Sequence, residues 1–312
     1  MAAFLNTLSN LFTLTFVITS MLAMGLSLTM PQILAPLRNG RLVALALAAN
    51  LVVVPATGFL LSRIIPLDAD LQIGLILFGC AAGAPTLPKL AQIAKADIAF
   101  AVGLMALLVV ATVVYLPLVL PLLLPGVSVD AGKVALTLFL EMLAPLGIGL
   151  LINARYKDVA SALRQPMMQI SNISLALLLV LVLGLNLGNV LGLLGSGAII
   201  GIVVLIAVAL GAGYLLGGPR ADTRQVLAIG TGERGVAAAF VIATGNFADR
   251  PDVLVFLAAA GLIMLGIVMP LAAEVGRRSG AARTAPAMAP EPERVLTTAI
   301  RQEGAPDAPA MG

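Results

Sequence analysis

Long apolar stretches separated by short polar segments fill the first 275 residues of the chain. A helix needs about 20 predominantly apolar residues to cross a bilayer. On that criterion the pattern predicts nine spans, at 8–29, 42–62, 71–94, 98–121, 134–152, 168–190, 196–217, 226–247 and 253–273. The predicted class is therefore an all-α polytopic membrane protein with a transmembrane domain over residues 1–275.

The character of the sequence changes at Gly276, where Ala, Pro and charged residues become frequent. Such a segment has too little apolar surface to offset the entropy of ordering. Residues 276–312 are predicted to form a disordered tail.

The basic residues predict the orientation of the spans. Thirteen of the eighteen Lys and Arg residues lie in the tail or in loops after odd-numbered spans: Arg38, Arg41, Lys95, Arg155, Lys157, Arg164, Arg220, Arg224, Arg277, Arg278, Arg283, Arg294 and Arg301. The opposite loops carry Arg63, Lys133 and Arg250. The positive-inside rule then places the amino terminus outside and the tail in the cytoplasm, in an inner (plasma) membrane. The amino terminus lacks a basic region and a cleavage site, so no removable signal peptide is predicted.

Composition narrows the functional class. The chain is 60% hydrophobic and 11% charged, with a mean hydropathy of +1.09. One cysteine and no histidine argue against a disulfide framework, a His/Cys metal site and a His-dependent triad, so an enzyme is not expected. The net charge of +3 is spread over short loops, which does not indicate nucleic acid binding.

The eighth predicted span contains two adjacent charges, Glu233 and Arg234, between Gly232 and Gly235 and close to Gly230. Charges at membrane depth are costly and usually face a cavity or a partner. Glycines allow the backbone to leave helical geometry, which is tolerated at that depth only inside protein or beside water. A substrate site is the favoured interpretation, and a Glu–Arg pair that tethers neighbouring helices is the alternative.

The third predicted span is interrupted as well. Gly83, Pro85 and Pro88 cannot belong to one regular helix, and Lys89 follows directly. The Lys89 ammonium could reach the polar pocket at the break, or it could extend to the cytoplasmic interface.

The two interrupted spans predict an inverted repeat. They are five elements apart, so they run in opposite directions, and spans 1 to 4 correspond to spans 6 to 9. Transporters built in this way bind substrate near the midplane, where the discontinuous helices meet. Half-helix amino termini at that point would face an anion.

Four segments resemble the bile acid:sodium symporter family: AMGLSLTMPQI, LAANLVVVPATGFLLS, FGCAAGAPTLPKLAQIAKADIAFAV and GTGERGVAAAFVIATGNF. The resemblance covers about residues 10 to 275. It implies a panel domain, a core domain in which the two broken helices cross, and sodium-coupled uptake of organic anions.

The chain departs from that family at the positions of the sodium ligands. The resemblance implies a Ser-Asn pair and a Glu where this sequence has Leu87, Pro88 and Gly230, and a Gln where it has Asn50. Sodium needs several oxygen ligands. The weak candidates that remain are Asn50, Thr86, Thr231 and Glu233, so either Na⁺ or H⁺ is the possible coupling ion, and no other cofactor is expected.

The favoured function is secondary active transport of a small organic anion. The predicted binding residues are Arg234, Glu233, Lys89, Thr86, Thr231, Asn50, Gly83, Gly232 and Gly235. Two alternatives stay open: a proton-coupled or exchange-type transporter of the same fold, with Glu233 as the proton carrier, and a membrane receptor or scaffold. Glu141, in the fifth span, is either a second proton carrier or an outer-leaflet carboxyl. The predicted partners are the anion and the bilayer, and no oligomeric state follows from the sequence.

Overall fold

The computed structural model describes residues 2–34, 38–124 and 130–284, and in this part of the chain every regular element is a helix. In chain order the helices are α1 (Ala2–Ser27), α2 (Met30–Leu34), α3 (Gly40–Ala48), α4 (Val54–Ile64), α5 (Ala69–Cys80), α6 (Leu87–Ile93), α7 (Ile98–Leu123), α8 (Ala131–Leu138), α9 (Ala144–Arg155), α10 (Lys157–Leu185), α11 (Leu187–Gly195), α12 (Ala198–Leu216), α13 (Ala221–Gly232), α14 (Val236–Asn246) and α15 (Pro251–Thr284). Two π-helical turns, Ala49–Val53 and Phe139–Leu143, join α3 to α4 and α8 to α9.

The predicted all-α membrane architecture is confirmed. Within the described ranges, eight helical stretches are long and apolar enough to cross a membrane. The predicted third span is divided between α5 and α6, each too short to be one of the eight. The ninth span, which these two helices divide, stays a prediction.

Two predicted boundaries are wrong. The loop expected around Arg155 to Arg164 is helical from Lys157, because α10 is one 29-residue helix. Such a helix is about 43 Å long against a hydrocarbon core of about 30 Å, so its first turns extend beyond the core. Helix α15 continues to Thr284, which makes residues 276–284 of the predicted tail helical. The remaining tail, 285–312, lies outside the described residues.

Both broken spans have a first half of twelve residues. Helix α5 ends where Ala81 turns extended (ψ 115°), and α13 ends where Glu233 does the same (ψ 108°). The predicted irregularity at Gly230 and Gly232 is wrong, because both lie in the last turn of α13. They provide space there: a Cβ on Gly230 would lie 2.8 Å from Leu87 Cδ2, and one on Gly232 would lie 2.5 Å from Leu210 Cδ2.

The helices form two packed groups. Helix α1 packs on α9 and α10, and a Cβ at Gly25 would lie 2.2 Å from the carbonyl oxygen of Leu146 on α9. The other group surrounds the broken helices: α5 packs between α4 and α15, and α13 packs on α12 and α7. The α13–α14 span is the most enclosed, with 94% of its 18-residue membrane window buried, against 22% for α10. The two interrupted spans therefore occupy the interior.

Candidate functional site

The two helix breaks touch each other in the centre of the second group. The backbone N–H of Gly235 donates to the carbonyl of Ala81 over 3.1 Å. The Thr112 hydroxyl, on α7, donates to the Ala82 carbonyl (3.0 Å) and accepts from the Ala82 N–H (3.2 Å). Irregular backbone at membrane depth needs such partners. The predicted crossing of two discontinuous helices is thus held by a backbone hydrogen bond between the breaks and by the Thr112 side chain.

Gly83 makes the first break possible. It has a φ of +81°, and a Cβ there would lie 2.6 Å from the backbone nitrogen of Val109. Both the left-handed conformation and the close approach of α7 require glycine. Gly83 therefore determines how closely the first break packs against α7.

Arg234 fills the space between the breaks. Its side chain is only 1% exposed, and each of its five N–H groups has an acceptor. Nη1 donates to Asn50 Oδ1 (3.0 Å) and the Thr231 carbonyl (3.1 Å). Nη2 donates to the carbonyls of Gly79 (2.7 Å) and Asn50 (3.5 Å), and Nε to that of Phe78 (3.4 Å). In this conformation Arg234 has no donor left for a substrate anion, so direct anion binding by Arg234 stays a prediction.

Asn50 reaches the crossing from the first π turn. Its amide nitrogen donates to the Ala46 carbonyl and to Thr231 Oγ1, each over 3.0 Å. Pro55 follows this turn by two residues. A proline clashes with the carbonyl four residues earlier, and the wider turn relieves that clash. Such π turns are often found at functional sites.

Glu233 points away from Arg234. Its Oε1 accepts a hydrogen bond from the Thr86 hydroxyl, while Oε2 is buried and has no hydrogen-bond partner among the described residues. No ion pair joins Glu233 to Arg234 or to Lys89 in the described chain. The alternative of a Glu–Arg tether is therefore absent from this conformation. Arg234 and Glu233 each bond separately to the α5–α6 span, Arg234 to the carbonyls of Phe78 and Gly79 and Glu233 to Thr86.

The predicted site residues thus divide into separate groups. Asn50, Thr231 and Arg234 meet at the crossing, Thr86 and Glu233 form a second pair, and Gly83 and Gly235 shape the two breaks. Lys89 is exposed at the start of α6. Gly232 serves packing.

Two groups of site residues were not found by sequence reasoning. Thr112 could have been identified from the sequence, because it is a polar residue within the apolar run LLVVATVVYL of α7. The carbonyls of Phe78 and Gly79 could not have been identified, because every residue has a backbone carbonyl.

A cavity of about 380 Å³ lies between α1, the second π turn and α14. Polar side chains of Asn10, Thr244 and Glu141 line it. The Lys133 ammonium donates to the carbonyl of Gly245, which also lines this cavity (2.9 Å). The cavity joins the α1 group to the half-helix that leads directly into the crossing.

Two discontinuous helices that cross in the interior of a polytopic membrane protein are the architecture of a class of secondary transporters. The Sodium Bile acid symporter family matches residues 14–193, and the chain belongs to this family. The resemblance noted in the sequence is thereby confirmed. The family match ends before Arg234, so the second break lies beyond it.

Several curated relatives are similar over a longer part of the chain. A probable sodium/metabolite cotransporter, chloroplastic BASS3 of Arabidopsis thaliana, is 28% identical over 62% of this chain and 45% of its own length. Chloroplastic BASS2 of Oryza sativa subsp. japonica is 27% identical over 73% and 55%. The uncharacterized sodium-dependent transporter YocS of Bacillus subtilis (strain 168) is 28% identical over 63% and 60%. The chain spans about half the length of the relatives it matches.

Proposed function

We propose that this protein is a secondary active transporter that moves a small organic anion across the plasma membrane. The observation that carries the proposal is the buried crossing of two broken helices, with Glu233 and Arg234 at its centre. Costly intramembrane charges of this kind mark substrate and ion pathways. The names of the relatives, which refer to metabolite cotransport, support the same function.

The charge of the substrate is inferred from Lys89. Its ammonium is exposed on the same broken span as Thr86 and has no ion-pair partner among the described residues. An exposed cation on the broken span suits a carboxylate. The family name also refers to bile acids, which are organic anions.

Sodium stimulation is proposed to be weak or absent, although the relatives are named as sodium-dependent. The four candidate ligands are taken up in two hydrogen-bonded pairs. Asn50 and Thr231 bond each other beside Arg234, whereas Thr86 bonds Glu233. A hard cation needs about six oxygens around one centre.

Counterflow in reconstituted vesicles tests the transport proposal. Vesicles preloaded with a mixture of unlabelled organic acids should accumulate a labelled member of the same mixture faster than protein-free vesicles. Folded protein that shows no counterflow with any acid of the panel would instead favour a receptor or scaffold.

The orientation is testable by cysteine labelling, because the single natural cysteine, Cys80, is fully buried. Asp249 and Arg277 are exposed near opposite ends of α15. In intact cells an impermeant maleimide should label Asp249→Cys and should reach Arg277→Cys only after permeabilisation. The reverse result would invert the proposed topology.

A further inference from the structure

The guanidinium of Arg234 is a buried charge that no carboxylate of the described residues neutralises. Within the described residues no acidic side chain lies within ion-pair distance of it. A buried charge is usually paired because its desolvation is costly. Here all five of its hydrogen bonds go to uncharged oxygens, four of them backbone carbonyls.

Three of those carbonyls belong to helix ends. Phe78 and Gly79 lie in the last turn of α5, and Thr231 lies in the last turn of α13. Carbonyls in a last turn lack intrahelical partners, and a helix carries a partial negative charge at that end. Two half-helices therefore direct their negative ends at one point, and Arg234 occupies it. The sequence led us to expect half-helix amino termini facing an anion; around Arg234, carboxyl termini face a cation.

We propose that Arg234 is a built-in cation that takes the place of a dissociable one between the two breaks, so that the carrier cycle runs without sodium. This inference rests on the proposed transport function and specifies its coupling. Carbonyl and amide oxygens are the ligands that hard cations such as sodium take in proteins. A guanidinium fixed to the chain satisfies the same oxygens but cannot leave them.

The covalent attachment has a direct consequence for coupling. A dissociable cation joins the breaks only when it is bound, and its gradient can then drive transport. Arg234 neutralises the helix ends at every stage, so a sodium gradient has no differential effect on the two sides of the cycle. The driving force must come from the substrate gradient, exchange or another ion.

Thermal unfolding of the purified full chain tests this proposal. The wild type should unfold at the same temperature in sodium chloride and choline chloride. Arg234→Ala should unfold at a temperature about 5 to 10 °C lower in choline, since the carbonyls lose their partner. Sodium or methylguanidinium chloride at equal ionic strength should recover a large part of that loss, because the vacated oxygens can bind a free cation.

Arg224→Ala is the matched control. Arg224 also donates to a backbone carbonyl, that of Gly218 (3.0 and 3.1 Å), but it is only partly buried and lies outside the crossing. Its loss should not be recovered by either cation. The proposal is overturned if neither cation restores Arg234→Ala, or if sodium stabilises the wild type with saturable dependence.

If Arg234→Ala does not fold, a second pair of variants tests whether the positive charge of Arg234 is required. Arg234→Lys keeps the positive charge with fewer donors, whereas Arg234→Gln removes it. Lys should retain most of the folded protein and Gln should not. Folding of the Gln variant to at least the same extent as the Lys variant, with both recovered in the membrane, would show that the charge is dispensable and would overturn the proposal. These measurements need no flux, so their failure is distinct from a failure of the transport function.

Discussion

Gly83→Ala should remove most of the folded protein from the membrane. A φ of +81° costs a residue with a side chain about 1–2 kcal/mol. The added Cβ would also lie 2.6 Å from the backbone nitrogen of Val109, and backbone cannot move aside as a side chain can. Overpacking of this kind adds about 1–3 kcal/mol. Size-exclusion profiles and unfolding temperatures of the solubilised protein would measure the loss.

Gly266→Ala is the control for this substitution. Gly266 lies in α15, and a Cβ there meets nothing within 4 Å, so alanine should be neutral or slightly stabilising. Gly83→Asn separates the two causes, because asparagine tolerates a positive φ but still carries a Cβ. If Gly83→Asn folds like the wild type, the close approach of α7 is not the limiting factor.

Glu233→Gln should flatten the dependence of uptake on external pH while exchange continues. In the wild type, uptake should rise several-fold as external pH falls from about 7.5 to 5.5, with Glu233 taking up a proton together with the substrate. Its Oε2 is the buried oxygen at the crossing without a described partner. Glutamine has the same shape and can still accept from Thr86, so folding should be retained.

The competing proton carrier is Glu141, which lines the cavity beside α14. Glu141→Gln should leave the pH dependence intact. A flat profile for Glu141→Gln together with a normal one for Glu233→Gln would move the proton site to that cavity. Uptake that is independent of pH in the wild type would remove proton coupling altogether.

The breaks were predictable because their causes are local. Gly83 and Pro85 cannot continue a helix, and the charges of Glu233 and Arg234 cannot face lipid, so both interruptions can be located from the sequence. The number of residues in each interruption was not predictable. Gly230 looked like part of the second break, but it remains helical and provides space for Leu87. Composition alone does not separate a glycine needed for its conformation from one needed for its size.

The partners of Arg234 could not be predicted, because they depend on tertiary packing. Asn50 is 184 positions away in the sequence. A charge next to Glu233 suggested an anion site or an ion pair, and neither pattern indicates a cluster of carbonyls. In the folded chain the guanidinium is fully bonded within the protein.

The two π turns share a feature in the sequence. Pro55 and Pro145 each come two residues after a π turn. Prolines within membrane spans commonly kink their helices, so a proline alone does not indicate a π turn. Their shared spacing follows from the clash with the carbonyl four residues earlier. The first π turn contains Asn50, which reaches the crossing, and the second contains Glu141, which lines the cavity.

The enclosure of the α13–α14 span has a consequence for how the chain is assembled during synthesis. Placing Glu233 and Arg234 in lipid would cost about 5–7 kcal/mol, and 94% of the membrane window of this span is covered by other helices in the folded protein. We therefore expect the segment to partition poorly into the bilayer on its own as it leaves the ribosome. It must be retained at the insertion machinery until α12 and α15 are available, and ribosome-bound chains truncated before α15 should remain accessible to protease within 221–246.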